Sequence, residues 1–267
     1  MKCPLCESSK YKLLGETKLS RLFQCKKCKT NFIEKKIDYR YDDEYFSDTY
    51  QKAYGKTYQD DEKNIRNISR RRLEIIKNLL KASCEENLKL LDIGSALGFF
   101  CDEAKKSGFN PTGIEISEYA RSFAKEKFGI PCYRDLDELQ SNKDKFDCIS
   151  LWFTLEHLEN PLEVLYTLKK FLKKNGILAL GLPNGNGAFF KFNRKGYLKA
   201  RPVEHIFEPS IKGISKVLKS LGFKVEKLEI FGLHPERINL PANKFSCSLQ
   251  RILKLGDTFE IYSRNVK

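Results

Sequence analysis

The sequence predicts an α/β chain. From Leu88 onward short apolar runs alternate with amphipathic stretches, a glycine-punctuated turn follows the first of those runs at 94–98, and paired cysteines are set apart at the amino end. Such alternation builds a mostly parallel sheet through right-handed crossovers. At 267 residues the chain can hold one such domain and a small appendage.

The appendage comes first. Cys3, Cys6, Cys25 and Cys28 form C-x2-C, 18 residues, C-x2-C, and each pair can chelate from one tight turn to complete a tetrahedral S4 site. Residues 1–34 are therefore expected to be a zinc ribbon with structural Zn2+, since nothing else in the segment would hold it folded. Cys84, Cys101, Cys132, Cys148 and Cys247 are scattered, and read as small core hydrophobes.

Residues 35–86 form a connector and a covering helix. Tyr39, Tyr41, Tyr45, Tyr50, Tyr54 and Tyr58 make the first part too aromatic for a free linker, so it is expected to pack on the following domain beside the ligand cleft. Ile65, Ile68, Ile75, Ile76, Leu79 and Leu80 then mark one face of a helix over 62–81.

In residues 87–267 strands are expected near 89–93, 111–116, 130–133, 146–152 and 176–182, with last strands at 223–231 and 258–264. Leu162, Leu165, Leu168 and Leu172 share one helical face; Ile211, Ile214, Val217, Leu218 and Leu221 share another, which Gly222 caps. The first strand runs into Asp92, Gly94 and Gly98 bracket a turn, and Glu115 closes the second strand. Glycines let the backbone approach a ligand, and an acid there can accept hydrogen bonds from both ribose hydroxyls. A dinucleotide fingerprint would need glycine where Ala96 and Phe99 stand, and a P-loop would need lysine after Gly98. Both fail on spacing.

The remaining pattern, D-x-G-x-x-x-G, resembles motif I of the class I S-adenosylmethionine-dependent methyltransferases. KFDCISLWFTLEHL at 145–158, KKFLKKNGILALGLPN at 169–184 and EHIFEPSIKGISKVLKSLGF at 204–223 resemble later segments of that family in the same order. The resemblance implies a Rossmann-like, seven-stranded sheet of order 3-2-1-4-5-7-6 with strand seven antiparallel. It also implies S-adenosylmethionine held by Asp92, Gly94, Ser95, Gly98, Glu115 and Ile116. Asp135 is expected near the adenine amine, with helix N-capping as the alternative; Trp152 is expected on the adenine wall, with core packing as the alternative.

Methyl transfer is an in-line displacement, so a hydroxyl acceptor needs alignment and a base. Of the three histidines, His157, His205 and His234, the first two lie where such folds bind ligands. His205 is the expected base and His157 the second candidate, or a structural histidine of its loop. Some ubiquinone-type and RNA 3′-end methyltransferases hold Mg2+ through E-x-x-E-H here. Phe153 replaces the first acid, so no catalytic metal is expected.

Net charge is +14, favouring polyanionic partners such as RNA, phosphorylated sugars or an anionic lipid surface. Residues 185–203 mix Lys191, Arg194, Lys195, Lys199 and Arg201 with Phe189, Phe190, Phe192 and Tyr197, a composition suited to a substrate lid or to a solvated loop. No apolar run approaches the ~20 residues of a membrane span, and Met-Lys-Cys-Pro opens no signal segment; a cytoplasmic protein is expected. The ribbon, the YGKTY segment and the Leu-Glu-His domain together resemble methyltransferases of bacterial surface-polysaccharide pathways, which implies O-methylation of a sugar, nucleotide-sugar or glycan precursor. An RNA methyltransferase is the alternative, on ribbon and charge, and a catalytically idle binding module the third.

Overall fold

In a computed structural model of the chain, the described residues are 1–17, 20–34, 46, 50–81, 87–140 and 145–266. Tyr39, Tyr41, Tyr45 and Cys84 lie outside them.

The amino-terminal strands are β1 (Tyr11–Glu16), β2 (Arg21–Cys25) and β3 (Asn31–Ile33). A short helix α1 (Tyr50–Tyr54) and the long α2 (Glu62–Leu80) follow. Strands and helices then alternate: β4 (Leu88–Ile93), α3 (Phe99–Lys106), β5 (Phe109–Ile114), α4 (Glu118–Phe128), β6 (Cys132–Tyr133), α5 (Leu136–Gln140), β7 (Phe146–Trp152), α6 (Pro161–Phe171) and β8 (Leu172–Pro183). The chain ends with α7 (Ala188–Phe192), α8 (Arg194–Ala200), β9 (Phe207–Glu208), α9 (Ile211–Ser220), β10 (Phe223–Phe231), α10 (Lys244–Ile252) and β11 (Thr258–Asn265). A seven-stranded sheet has the order β10-β11-β8-β7-β4-β5-β6, and a four-stranded sheet the order β1-β2-β3-β9. β4 pairs in parallel with β5 and β7, whereas β10 and β11 are antiparallel.

Strand boundaries differ from those the sequence predicts. The third strand is only Cys132–Tyr133, and Leu172 opens β8 instead of closing the helix, with a left-handed Asn175 (φ 65°) just before the apolar run. The second strand ends at Ile114, so Glu115 stands just past it, at the mouth of the glycine turn.

The chain divides into two compact units that do not follow the sequence boundaries: Met1–Asp38 with Trp152–Lys169 and Leu180–Lys267, and Tyr39–Leu151 with Lys170–Ala179. In the second unit, Arg66 of α2 is 2.6 Å from Asp102 Oδ2 and 2.9 Å from Glu103 Oε1 of α3, and its guanidinium also covers Phe99. That ion cluster fixes the covering helix, whose buried face is Ser69, Leu73, Ile75 and Ile76. Phe46 and Tyr58 pack with Leu97, Phe99 and Ala120, Tyr58 stacking on Phe99 at 5.8 Å, so the described part of the connector lies against the glycine turn.

In the first unit the ribbon is continuous with later chain. β3 pairs with β9, Asn31 opposite Glu208 and Phe32 opposite Phe207. Phe190 and Tyr197 are buried in one cluster with Leu22 and Ile33, so these two aromatics of 185–203 form a core and not the face of a lid; Phe192 stays exposed. Cys101 and Cys148 are buried as expected of small hydrophobes, but Cys132 and Cys247 are only partly covered.

Candidate active site

A candidate nucleoside cradle is built within the second unit from the β4 turn and the end of β5. Buried Asp92 accepts from Ser150 Oγ at 2.7 Å, and burial pushes its carboxyl up to about 7. Its other oxygen faces Cys101 Sγ of α3 at 3.9 Å. Gly94, Ala96 and Gly98 have φ of 74°, 49° and 80°, three left-handed residues that turn the chain sharply. Ala96 occupies a conformation that glycine adopts more cheaply, which is the cost of the departure from the glycine-rich pattern.

Gly98 serves packing as well as turn geometry. A Cβ there would meet Ala124 Cβ at 2.8 Å, so only glycine lets α3 start this close to α4. Gly94 and buried Ser95 both donate main-chain N–H groups to Ile114 O, at 2.8 and 3.1 Å, which locks the turn onto β5.

Glu115 is buried, and burial raises its carboxyl above the ordinary range against the opposing pull of main-chain donors. Its Oε2 accepts from Ala96 N at 2.9 Å and its Oε1 from Ser117 N at 3.0 Å. Ile116 N is a further main-chain donor to this carboxylate. Beside it Ile116 is 56% exposed, an apolar surface suited to a flat base. The cradle thus fits a nucleoside. Asp135 Oδ1 accepts from Asp137 N and Glu138 N, both at 3.0 Å, which makes it the N-cap of α5.

A separate cluster of histidines and glutamates lies within the first unit. After β7, a 3-10 turn at Leu155–His157 carries Glu156 and His157, and the segment before β9 carries His205. The two imidazoles stand edge to face at 5.0 Å. His157 Nδ1 faces Glu204 O at 3.3 Å; burial and the neighbouring His205 lower its pKa to about 3, so it stays neutral. His205 Nδ1 lies 2.8 Å from Glu208 Oε1. A proton on Nδ1 satisfies that carboxylate and leaves Nε2 as a proton acceptor.

Glu208 was legible only as part of a segment, not as a site residue. Burial alone would raise its pKa, but Arg201, His205 and Tyr197 outweigh it and bring it down to about 2. Arg201 Nε lies 3.2 Å from Oε1, and Tyr197 OH donates to Oε2. Glu156 is the opposite case. It is fully buried, neither carboxylate oxygen has a hydrogen-bond partner among the described residues, and burial raises its pKa to about 7. Donor atoms of Glu156, His157 and His205 lie within 4.8 Å of one another. One carboxylate and two imidazoles converge there, a set the E-x-x-E-H spacing alone does not reveal. Trp152, at the end of β7, packs at 6.2 Å from Tyr262.

The four ribbon cysteines form a second donor group, also within 4.8 Å. Sγ separations are 3.5 Å for Cys3–Cys28 and 3.6 Å for Cys6–Cys25. Four sulfurs about 2.3 Å from one tetrahedral cation would stand about 3.8 Å apart, so the thiols fit such an ion.

Residues 67–228 match the profile of a family described as a methyltransferase domain. The chain belongs to this family of S-adenosylmethionine-dependent methyltransferases. A ubiquinone biosynthesis O-methyltransferase of Histophilus somni (strain 2336) is 31% identical over 129 residues, 44% of this chain and 53% of that protein. One of Glaesserella parasuis serovar 5 (strain SH0165) is 28% identical over 184 residues, 62% and 78%. The chain spans about half the length of the first of these relatives. Among solved structures, an S-adenosylmethionine-dependent methyltransferase from Archaeoglobus fulgidus aligns with TM-score 0.53 at 20% identity, covering 81% of this chain and 98% of that one. The plantazolicin methyltransferase BpumL, in complex with S-adenosylhomocysteine, aligns with TM-score 0.53 at 17% identity, covering 84% and 93%. These structural likenesses establish the fold. Among the described residues no helix is long and apolar enough to cross a membrane.

Proposed function

We propose that the chain transfers a methyl group from S-adenosylmethionine to a hydroxyl of a small-molecule acceptor, with His205 as the base. The donor supplies an electrophilic methyl on a sulfonium. The acceptor oxygen forms a bond to the methyl carbon, the carbon–sulfur bond breaks with its electron pair going to sulfur, and the hydroxyl proton passes to His205 Nε2. Glu208 holds the Nδ1 proton and stabilises the imidazolium as it forms. The observation that carries this reading is the His205–Glu208 pair, 2.8 Å apart with Glu208 buried and His205 partly so, beside a carboxylate on Glu156 that has no hydrogen-bond partner among the described residues.

Glu115 and the turn at 94–98 hold the nucleoside in this reading, with Ile116 against the base and Asp135 and Trp152 as its outer candidates. The four cysteines hold structural Zn2+. A sugar, nucleotide-sugar or glycan precursor is the acceptor class proposed, supported by the ribbon and connector resemblance and by a net charge of +14 that favours phosphorylated ligands. The O-methyltransferase names of the relatives support oxygen as the accepting atom. RNA is the second reading, favoured by the same charge.

Incubation with methyl-labelled S-adenosylmethionine and separate nucleotide-sugar and RNA pools tests this. Label in the sugar pool is expected. Label confined to RNA would replace the acceptor, and saturable cofactor binding with no transfer to any pool would indicate an idle module.

A further inference from the structure

The ribbon contributes something other than four cysteines. We propose that it is a positioning element for the acid–base pair, β3 holding Glu208 and hence the His205 ring through a continuous chain Asn31, Tyr197, Glu208, His205. The inference rests on the reading of His205 as the base.

The chain is fully specified. Asn31 is completely buried, and Gln24 Nε2 donates to its Oδ1 at 3.0 Å, which fixes the orientation of the amide. Its two N–H donors then go to Gly185 O at 2.6 Å and Tyr197 OH at 3.1 Å. An amide offers two donors, so none is left over. Because Tyr197 OH accepts from Asn31, its own proton is directed to Glu208 Oε2. The buried phenol is also held protonated, burial pushing its pKa well up. Oε1 of Glu208 is thereby left to His205 Nδ1 and to the Arg201 guanidinium, whose Nε lies 3.2 Å away. A single hydrogen-bond direction runs from the ribbon to the imidazole, and it selects the tautomer whose Nε2 is free to take a proton.

The backbone reinforces it. Asn31 is the ladder partner of Glu208, and Ile33 N donates to Ile206 O at 3.0 Å. Ser210 Oγ donates to Cys28 O at 2.7 Å, so the second cysteine knuckle is tied directly to the start of α9. Contact there is too close for any side chain: a Cβ on Gly213 would meet Cys28 O at 2.4 Å, and one on Gly185 would meet Glu208 O at 2.2 Å. A cation on Cys25 and Cys28 would set the turn from which β3 departs, and with it the register of Asn31 against Glu208. A ribbon that served only as a clamp for the acceptor would need none of these bonds.

Imidazole nitrogen NMR on the full-length, zinc-loaded protein labelled with 15N-histidine tests the proposal, and with three histidines the spectrum is simple to assign. His205→Gln identifies the His205 signals. In the unmodified protein His205 is expected as the Nδ1–H tautomer with a slowly exchanging ring proton. Asn31→Asp, which keeps shape but removes the donors, and Tyr197→Phe, which removes only the hydroxyl, should each abolish that proton's protection or mix the tautomers. Their double variant should do no more than either alone. Affinity for S-adenosylhomocysteine should stay within about two-fold throughout, which shows the fold intact. Stripping zinc with a chelator should reproduce the Asn31→Asp spectrum. Unchanged His205 signals in both variants would overturn the positioning role while leaving the base assignment standing. Absence of the Nδ1–H tautomer in the unmodified protein would overturn both. Loss of S-adenosylhomocysteine affinity in step with the spectral change would reduce the ribbon to general stabilisation.

Discussion

Glu115 and Glu208 are both buried glutamates at the heart of their sites, yet their environments drive them in opposite directions. Glu115 faces main-chain amides of Ala96 and Ser117, and burial wins, raising its pKa. Glu208 faces the Arg201 guanidinium, the His205 ring and the Tyr197 hydroxyl, and these bring it down to about 2 in spite of burial. Neutral dipoles solvate a carboxylate without cancelling its charge, whereas a cation at contact cancels it. The difference suits the tasks proposed for them: Glu115 waits for two hydroxyls, and Glu208 carries a permanent charge for an imidazolium.

The sharpest way to break that contrast is His205→Ala. On whichever pool accepts label, turnover is expected to fall by about 10²–10⁴-fold, the usual worth of a general base, with S-adenosylhomocysteine affinity unchanged. Retained turnover would remove the base assignment. Glu115→Ala should do the reverse, weakening S-adenosylhomocysteine binding by about 1.5–3 kcal/mol, roughly 10–150-fold, as measured by calorimetry.

Acid should act on the two glutamates differently. Because the folded pKa of Glu115 is raised, nucleoside affinity is full above that pKa and is lost as pH falls through it, starting above the ordinary value of 4.5. Glu208 has a depressed folded pKa, so its contribution to stability is present above 4.5 and is lost only as pH falls from there toward about 2. Binding titrations and acid unfolding followed on one preparation should therefore separate, with ligand affinity failing first. Coincident loss would contradict the contrast.

Smaller effects probe the glycine turn. Gly98→Ala should cost about 1–3 kcal/mol in denaturant unfolding, because its Cβ collides with Ala124 and its φ is 80°. Ala96→Gly should be neutral to stabilising by up to about 1 kcal/mol, since it relieves a φ of 49°. Smallest of all, brief EDTA treatment that spares the ribbon should leave turnover intact. Complete loss restored by Mg2+ would assign Glu156, His157 and His205 to a cation instead.

Much of the nucleoside cradle was legible in the sequence because it is local. Asp92, the turn and Glu115 sit on consecutive elements, so spacing along the chain nearly dictates spacing in space. Even there Asp135 turned out to cap its own helix, a use that the same residue type at the same place serves equally well. The cluster of histidines and glutamates was half legible. His157 and His205 stood out as scarce residues, but Glu208, Tyr197, Arg201 and Asn31 carry no motif, and Asn31 lies 177 residues from Glu208.

By itself the sequence determined the alternation of strands and helices, the paired cysteines and an acid near the end of the second strand, because periodicity and short-range chelation are properties of neighbouring residues. Tertiary structure alone decided that β3 shares a sheet with β9, that Phe190 and Tyr197 fill a core, and which carboxylates meet a cation. Pairing of distant strands and desolvation of a charge depend on what the rest of the chain brings to the same place, and no local pattern encodes that.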